Sequence, residues 1–490
     1  MSEKRSNFGS AWIFILAAIG SAAGLGNLWR FPYLAYEHGG AAFFIAYIIC
    51  LLCIGLPLLI VEVGLGKHTK KGAPEAMASV GKRGYFKVIG WLSVMVAFSI
   101  LTYYIVIAAW TVNYATNAFS LPWQGGSESY FFNQFLAITT DIGSFSTPRL
   151  PIIAGVIIIL LLTYICIYKG TSGLAFVAKW ITPLPFILLI ILLINSLSLS
   201  GSETGLHALF VPVWASLLDN KLWFDAASQV IFSISLATGV MFAYGALLDK
   251  KVNVAKTCTI VVIGDTIASV ICGMIVFSVI GHVALIDGKS IHDVISGGIG
   301  LAFVVLPQAL ALLPTGQGIF SFIFYLSVFF LAFTSIISLI ESVLAAFMDS
   351  KAKLKRASLL LVICLLLLIF NIIYTMGNGL YLLDVVDHYI NGYFMLFVMI
   401  LEALLIGWVY NIFRFNQTVF LSSNHKALKL LFALLVSVVV PLMLIILFVR
   451  QISSDITTAY GGYPSAYLTG IGIGIFAVVI LASILFTKKY

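Results

Sequence analysis

The chain has 490 residues, 61% of them hydrophobic and only 9% charged, with a mean hydropathy of +1.09. So little polar surface cannot cover a water-soluble globule of this size, so the composition specifies a polytopic membrane protein. The formal charge of +8 is not a nucleic-acid footprint, because no soluble segment carries a basic face interleaved with aromatics.

Runs of about 20 apolar residues predict twelve spans in chain order: 11-35, 41-66, 86-117, 151-168, 174-199, 224-248, 257-284, 317-348, 357-375, 390-413, 428-450 and 466-487. A cleaved signal peptide is the rival reading of the first run, since Lys4 and Arg5 precede it and small residues end it. That reading leaves Asn27, Arg30 and Pro32 without a purpose. With the amino terminus in the cytoplasm, twenty-two basic residues fall inside, and only Arg149, Lys221, Lys289 and Arg450 fall outside. Both termini are therefore expected on the cytoplasmic side.

The first span is interrupted. Gly20-Ser21-Ala22-Ala23-Gly24-Leu25-Gly26-Asn27-Leu28-Trp29-Arg30-Phe31-Pro32 sets three glycines, an asparagine and an arginine in an apolar stretch. Glycine weakens helices, and a guanidinium at membrane depth costs about 3 kcal/mol or more. Small-residue packing accounts for Gly20 and Gly24 but not for Gly26, Asn27 and Arg30. The segment reads as a helix broken around a buried polar site, because unwound backbone at that depth must line a cavity or be enclosed by protein.

Span six is interrupted too, at Gln229-Val230-Ile231-Phe232-Ser233-Ile234-Ser235-Leu236-Ala237-Thr238-Gly239. If spans one to five and six to ten are two repeats, the breaks correspond. An odd number of spans per repeat then requires the second copy to be inverted, and paired interruptions point to a transport site. The expected organisation is a cytoplasmic segment 1-10, a first repeat 11-199, a second repeat 224-413 and two outlying helices in 428-490. Between spans seven and eight, the loop 281-318 carries Pro307 and Pro314 around an apolar stretch. It is expected to form two short helices over an outer vestibule.

No enzyme is expected. The six cysteines lie in or beside apolar spans without metal spacing and read as small core residues, and the seven histidines are scattered with no HxxxH pattern. A channel would place polar rings along several spans, whereas here polar residues cluster at one depth. A proton-coupled carrier could use Asp265 or Glu62. Glu62 is expected to bond the bared backbone of span six, and Glu341 and Glu402 to face the protein interior.

From the motif at 20 to 32, through Pro57-Leu58-Leu59 with Glu62, Tyr103-Tyr104 with Trp110, span six, and Thr334-Ser335 to Asp387, the chain resembles the neurotransmitter:sodium symporter family, of the bacterial amino-acid-transporting kind. The resemblance implies an all-α membrane protein of about twelve helices with two five-helix inverted repeats. It would take up an amino acid by sodium-coupled symport across the inner (plasma) membrane.

By the same resemblance the substrate carboxylate would be held by N–H groups near Gly24, Leu25 and Gly26 and by Tyr104. The amine would be held by carbonyls of Ala22, Phe232 and Ser233 and by Ser235. Ser21, Ile100, Phe232, Thr238, Ser335 and Leu339 would line the side-chain pocket, which suits a hydrophobic or aromatic residue. Gly24 stands where monoamine-transporting members carry an aspartate, leaving room for the substrate's own carboxylate.

Two sodium ions are implied. One would take Ala22, Asn27, Ser233 and Asp265, and the other Gly20, Ala23, Leu331, Thr334 and Ser335. Hydroxyls such as those of Thr334 and Ser335 also commonly bond their own helix backbone, and that alternative stands beside the ion-site reading.

Residues like Tyr47, Gln229, Ser233 and Ser269 gather chloride in chloride-dependent members. Asp265 replaces a common asparagine one turn before Ser269, so its carboxylate is expected to supply that charge. Arg30 with Asp387 matches the outer gate pair and Arg5 with Asp349 the inner one, where Phe8 replaces a common tryptophan. Neither an organic cofactor nor a nucleic acid is expected. The partners would be the free amino acid and the bilayer, with spans eleven and twelve peripheral or available for a homodimer contact.

Overall fold

A computed structural model describes residues 8, 10–294, 298–313, 315–350, 355–419 and 426–490. The described residues are helical and turn segments with no strand. Ten helices are long and apolar enough to cross a membrane: Ala41–Thr69, Gly84–Thr116, Leu150–Ile167, Thr171–Leu197, Val254–Asp287, Gln317–Asp349, Arg356–Tyr374, Gly379–Tyr410, Lys426–Gly462 and Ser465–Lys489. An eleventh is the bent pair Ala11–Ala22 and Leu25–Glu37, whose axes differ by 62°. The twelfth expected span, six, is present as two separate helices, Asn220–Ser233 and Val240–Ala246.

The residues explain where helices stop. Ser10 caps the start of span one by accepting the Ile13 N–H, and Ala23 and Gly24 then take extended backbone angles that end its inner half. The outer half runs to Glu37 and is closed by Gly39 and Gly40, both at positive φ, where glycine has no Cβ penalty. In span six the interval 234–239 holds three residues with positive φ, Ser235, Ala237 and Gly239. Serine and alanine are rare in that region, so the surrounding contacts must hold the unwound conformation.

Spans three and eight form the packed centre, with Trp91, Trp110, Tyr103 and Tyr325 fully buried. Spans four, five, nine, eleven and twelve instead present Ile157, Leu161, Ile187, Ile194, Leu365, Ile369, Leu442 and Leu485 outward. An apolar exterior around a core that buries Asn27, Glu62, Asp265 and Glu402 is the arrangement a lipid solvent requires.

Three expected boundaries are corrected: span eleven, expected to end at 450, continues as α-helix to Thr457. Span ten begins at Gly379 rather than 390, because Asp384, Asp387 and His388 depress hydropathy over two turns that are nevertheless helical. Span seven continues to Asp287, so residues 281–287 are helix rather than vestibule loop. The remainder of that loop forms short helices, Ile291–Val294 and Gly298–Ala311, as expected; Pro314 lies outside the described residues.

Candidate functional site

The breaks in spans one and six lie against each other. Ser235 Oγ donates to the Ser21 carbonyl at 2.9 Å, and Ser21 Oγ sits 3.3 Å from Ser235 Oγ and 2.7 Å from Ser338 Oγ on span eight. The unwound stretch of span six is held from span two, where Glu62 Oε1 accepts the Ala237 N–H at 2.8 Å. Ser342 donates to the Thr238 carbonyl at 2.7 Å. Buried backbone groups freed by a break are thus satisfied by side chains from other spans.

At the start of span one's outer half, the Gly24 N–H donates to Asn27 Oδ1 at 2.9 Å and the Leu25 N–H to the Tyr104 hydroxyl at 3.3 Å. Space is tight at both glycines here, and tightest at Gly26. A Cβ on Gly24 would stand 3.2 Å from both Ser335 Oγ and Tyr104 Oη, and one on Gly26 only 2.5 Å from the Phe232 ring.

All thirteen expected substrate-binding residues line one cavity of about 50 Å3 beside the breaks: Ser21, Ala22, Gly24, Leu25, Gly26, Ile100, Tyr104, Phe232, Ser233, Ser235, Thr238, Ser335 and Leu339. Asn27 and Met395 complete its wall. Met395, on span ten, carries no local signal in the sequence; Ser338 does, since it falls one turn after Thr334 on the same helix face.

Asp265 is the acid of this region. It is fully buried and accepts from Ser233 Oγ at 2.7 Å, Asn27 Nδ2 at 2.8 Å and the Tyr47 hydroxyl at 3.3 Å. Asn27 Nδ2 also reaches Ser269 Oγ at 2.8 Å. Tyr47, Ser233, Asp265 and Ser269 therefore converge as expected, while Gln229 does not join them. Its amide nitrogen faces the Gly26 carbonyl at 3.5 Å, and its oxygen accepts from Arg30 at 3.2 Å. Among the described residues no carboxylate is bonded to Arg30's guanidinium, which takes these neutral acceptors.

For the first expected ion site, Asn27, Ser233 and Asp265 are brought together beside Ala22, with the Asn27 carbonyl oxygen turned to the Gly24 N–H. The Asn27 amide nitrogen, not its oxygen, faces Ser233 and Asp265, so the carboxylate and hydroxyl oxygens are the groups of this cluster that suit a hard cation. At the second, Ser335 Oγ donates to both the Ser21 and Leu331 carbonyls at 3.2 Å, whereas Thr334 bonds the carbonyls of Phe330 and Leu331 within its own helix. Gly20 abuts Thr334 and also Thr182 on span five, whose hydroxyl lies 2.7 Å from a Cβ placed on that glycine. Thr182 was not singled out by the sequence. Ala23 ends the inner half, its N–H bonded to the Ile19 carbonyl at 2.7 Å.

The expected outer pair is not joined. Arg30 donates to Ser228 at 2.8 Å and to Gln229, and lies over the Phe232 ring at 5.8 Å, while Asp387 accepts from Tyr103 and Asn391, each at 2.6 Å. Both face an outer cavity of about 420 Å3 whose wall shares Tyr104, Phe232 and Met395 with the inner pocket. Of the inner pair, Arg5 lies outside the described residues, and Asp349 accepts the Gly72 N–H at 2.6 Å. Glu341 is paired with Arg356 at the start of span nine, and Glu402 accepts from Ser93 at 3.0 Å. The helix Gly298–Ala311 sits over this region, with Phe303 edge-on to Trp110 at 5.5 Å and bonded through its carbonyl to the Tyr114 hydroxyl.

The chain is similar to an uncharacterized sodium-dependent transporter of Methanocaldococcus jannaschii, with 34% identity over 466 residues, 95% of this chain and 94% of that protein. It is also similar to the sodium- and chloride-dependent GABA transporter 2 of Rattus norvegicus, 29% identical over 445 residues covering 83% of this chain and 73% of that protein. The human protein of the same description is 28% identical over 453 residues, 85% of this chain and 75% of its own length. The family description "Sodium:neurotransmitter symporter family" matches residues 5–130 and 124–490. With two facing helix breaks, a carboxylate-containing oxygen cluster and a whole-length match, the chain belongs to the sodium:neurotransmitter symporter family of sodium-dependent membrane transporters.

Proposed function

We propose that the protein imports a hydrophobic or aromatic α-amino acid together with two sodium ions across the plasma membrane, with both termini cytoplasmic. The observation that carries this reading is the cavity between the two breaks. Its walls offer main-chain N–H groups and the Tyr104 hydroxyl at one side, hydroxyls and the Ser21 carbonyl at the other, and Ile100, Phe232, Leu339 and Met395 beyond. A zwitterion has one end for each polar set and an apolar side chain for the remainder.

The outer cavity's adjoining the pocket supports an alternating-access cycle. The amino acid descends through the outer cavity to the pocket, Arg30 and Asp387 approach as that cavity closes, and the inner half of span one yields afterwards. Spans one to five and six to ten act as inverted repeats (11-199 and 224-413), and 428-490 lies outside them. Two sodium ions with one zwitterion move two charges, worth about 4.6 kcal/mol at 100 mV, or about a thousandfold accumulation. Asp265 supports chloride independence, since a resident carboxylate already occupies the place among Tyr47, Ser233 and Ser269.

The decisive experiment is uptake of radiolabelled amino acids into proteoliposomes, with sodium or potassium outside, followed by competition among all twenty amino acids and GABA. Sodium-dependent uptake competed best by leucine, phenylalanine or tryptophan is expected. Uptake driven by a pH gradient without sodium would favour a proton-coupled carrier, and best competition by lysine, glutamate or GABA would replace the substrate assignment.

A further inference from the structure

Spans eleven and twelve have no part in the pocket between the helix breaks, yet the turn that joins them reaches the outer cavity. Tyr460 and Gln451 line that cavity with Arg30, Asp384, Asp387 and His388. The turn is fastened to span ten at several points. Tyr460 and Tyr463 donate to the two oxygens of Asp384, each at 2.9 Å, and the Tyr460 ring stacks on His388 with centroids 3.7 Å apart. Burial and the Asp384 carboxylate push the Tyr463 hydroxyl's pKa up, so it stays a donor.

The most telling contact is one turn deeper. Span ten changes at Ile390–Phe394 from α-helix to the wider π geometry, which often marks a functional bend. Asp455 on span eleven bridges the entry to that segment: its Oδ2 meets His388 Nε2 at 2.6 Å before it and the Tyr393 hydroxyl at 2.5 Å within it, and Gln451 Nε2 approaches its Oδ1 at 3.3 Å. Asn391 lies inside the interval that Asp455 bridges and Asp387 stands one residue before it; Asp387 accepts from Asn391 and, from the opposite side, from Tyr103 of span three. The gate carboxylate therefore sits at the start of a short π-helical segment held between span three and the helix pair at the carboxyl end.

We propose that the pair formed by spans eleven and twelve is a working part of the outer gate, with Asp455 and Tyr460 as positioning residues that set how the Asp387 segment swings toward Arg30. If the clamp were only a staple for the fold, its loss would lower the yield of folded protein and leave gating untouched. As a positioning device it governs closure instead. Neither residue lines the inner pocket, so equilibrium binding there should survive its loss.

The test uses the full chain. Closure is read without substrate, as the rate at which a membrane-impermeant thiol reagent modifies Ile107→Cys in the outer cavity, in sodium versus potassium chloride. Radiolabelled leucine and tryptophan are then used to separate equilibrium binding from turnover. Networks of this sort modulate coupling by factors of about two to thirty. Asp455→Ala and Tyr460→Ala should therefore cut turnover about fivefold or more, abolish the sodium-to-potassium difference at position 107, and leave substrate affinity within about twofold. Asp455→Glu should recover part of the turnover, and Tyr460→Phe, which keeps the stack on His388, should be milder than Tyr460→Ala. Unchanged turnover and unchanged labelling in the folded variants would overturn the proposal, as would equal losses in affinity and turnover. The inference rests on the outer cavity being the entry path; failure of the parent protein to take up amino acids would remove that reading, whereas failure confined to the variants bears on the clamp alone.

Discussion

Asn27 stands between the helix break and the buried acid: its carbonyl oxygen accepts the Gly24 N–H, and its amide nitrogen donates to Asp265 Oδ1 at 2.8 Å. One side chain therefore couples the shape of the unwound segment to the carboxylate next to the pocket. A cation drawn to Asp265 would act on the amino-acid site through this residue.

Removing the charge of Asp265 should create a need for an external anion. Asp265→Asn keeps the size of the side chain and a hydrogen-bonding oxygen for Ser233 and Tyr47 but deletes the negative charge. The parent protein should transport equally in chloride and gluconate, and the variant should transport only in chloride. Parent transport that collapses in gluconate sinks the assignment.

Gly26→Ala inserts a Cβ 2.5 Å from the Phe232 ring, which cannot move freely because Arg30 lies over it. Overpacking of this kind costs about 1–3 kcal/mol of stability, and because Gly26 and Phe232 both wall the pocket, the displaced ring should also weaken substrate binding. A scintillation-proximity binding curve for the variant measures it. Affinity equal to the parent's would show that Phe232 does not wall the occupied pocket.

Glu62 predicts a graded series. Glu62→Gln keeps an oxygen for the Ala237 N–H, whereas Glu62→Ala leaves that buried donor unmet at a cost of about 1–3 kcal/mol. Thermal unfolding in detergent should rank the parent above or near Gln and well above Ala. An alanine variant as stable as the parent would contradict the role.

Arg30→Lys should separate binding from transport. A lysine retains the charge but cannot span Ser228 and Gln229 with two nitrogens of one planar group. Equilibrium binding of substrate should be largely preserved while turnover drops. Loss of binding in equal measure would place Arg30 in the pocket itself.

Much of this was legible before any coordinates. Hydropathy found span starts such as 11, 41 and 317 to the residue, because a bilayer imposes length and apolarity on each helix. The stretch from Gly20 to Pro32 announced its break through residues a continuous helix would avoid, and Glu62 was readable as a buried acid needing a bared N–H. The start of span ten was obscured by the acids and the histidine that make it useful. Met395, Thr182 and the turn of Gln229 toward Arg30 were invisible, since each depends on contacts between residues far apart in the chain, and no local periodicity encodes such meetings.

Arg30 grips Ser228 and Gln229, so the outward-facing stubs of spans one and six are handcuffed together and should travel as a single lever. Spectroscopic labels at positions 33 and 224, one on each stub, would then keep a constant separation through the cycle, while labels at 33 and 391 would draw together as the mouth shuts. Closure is then expected between that lever and span ten, and not between the two broken helices.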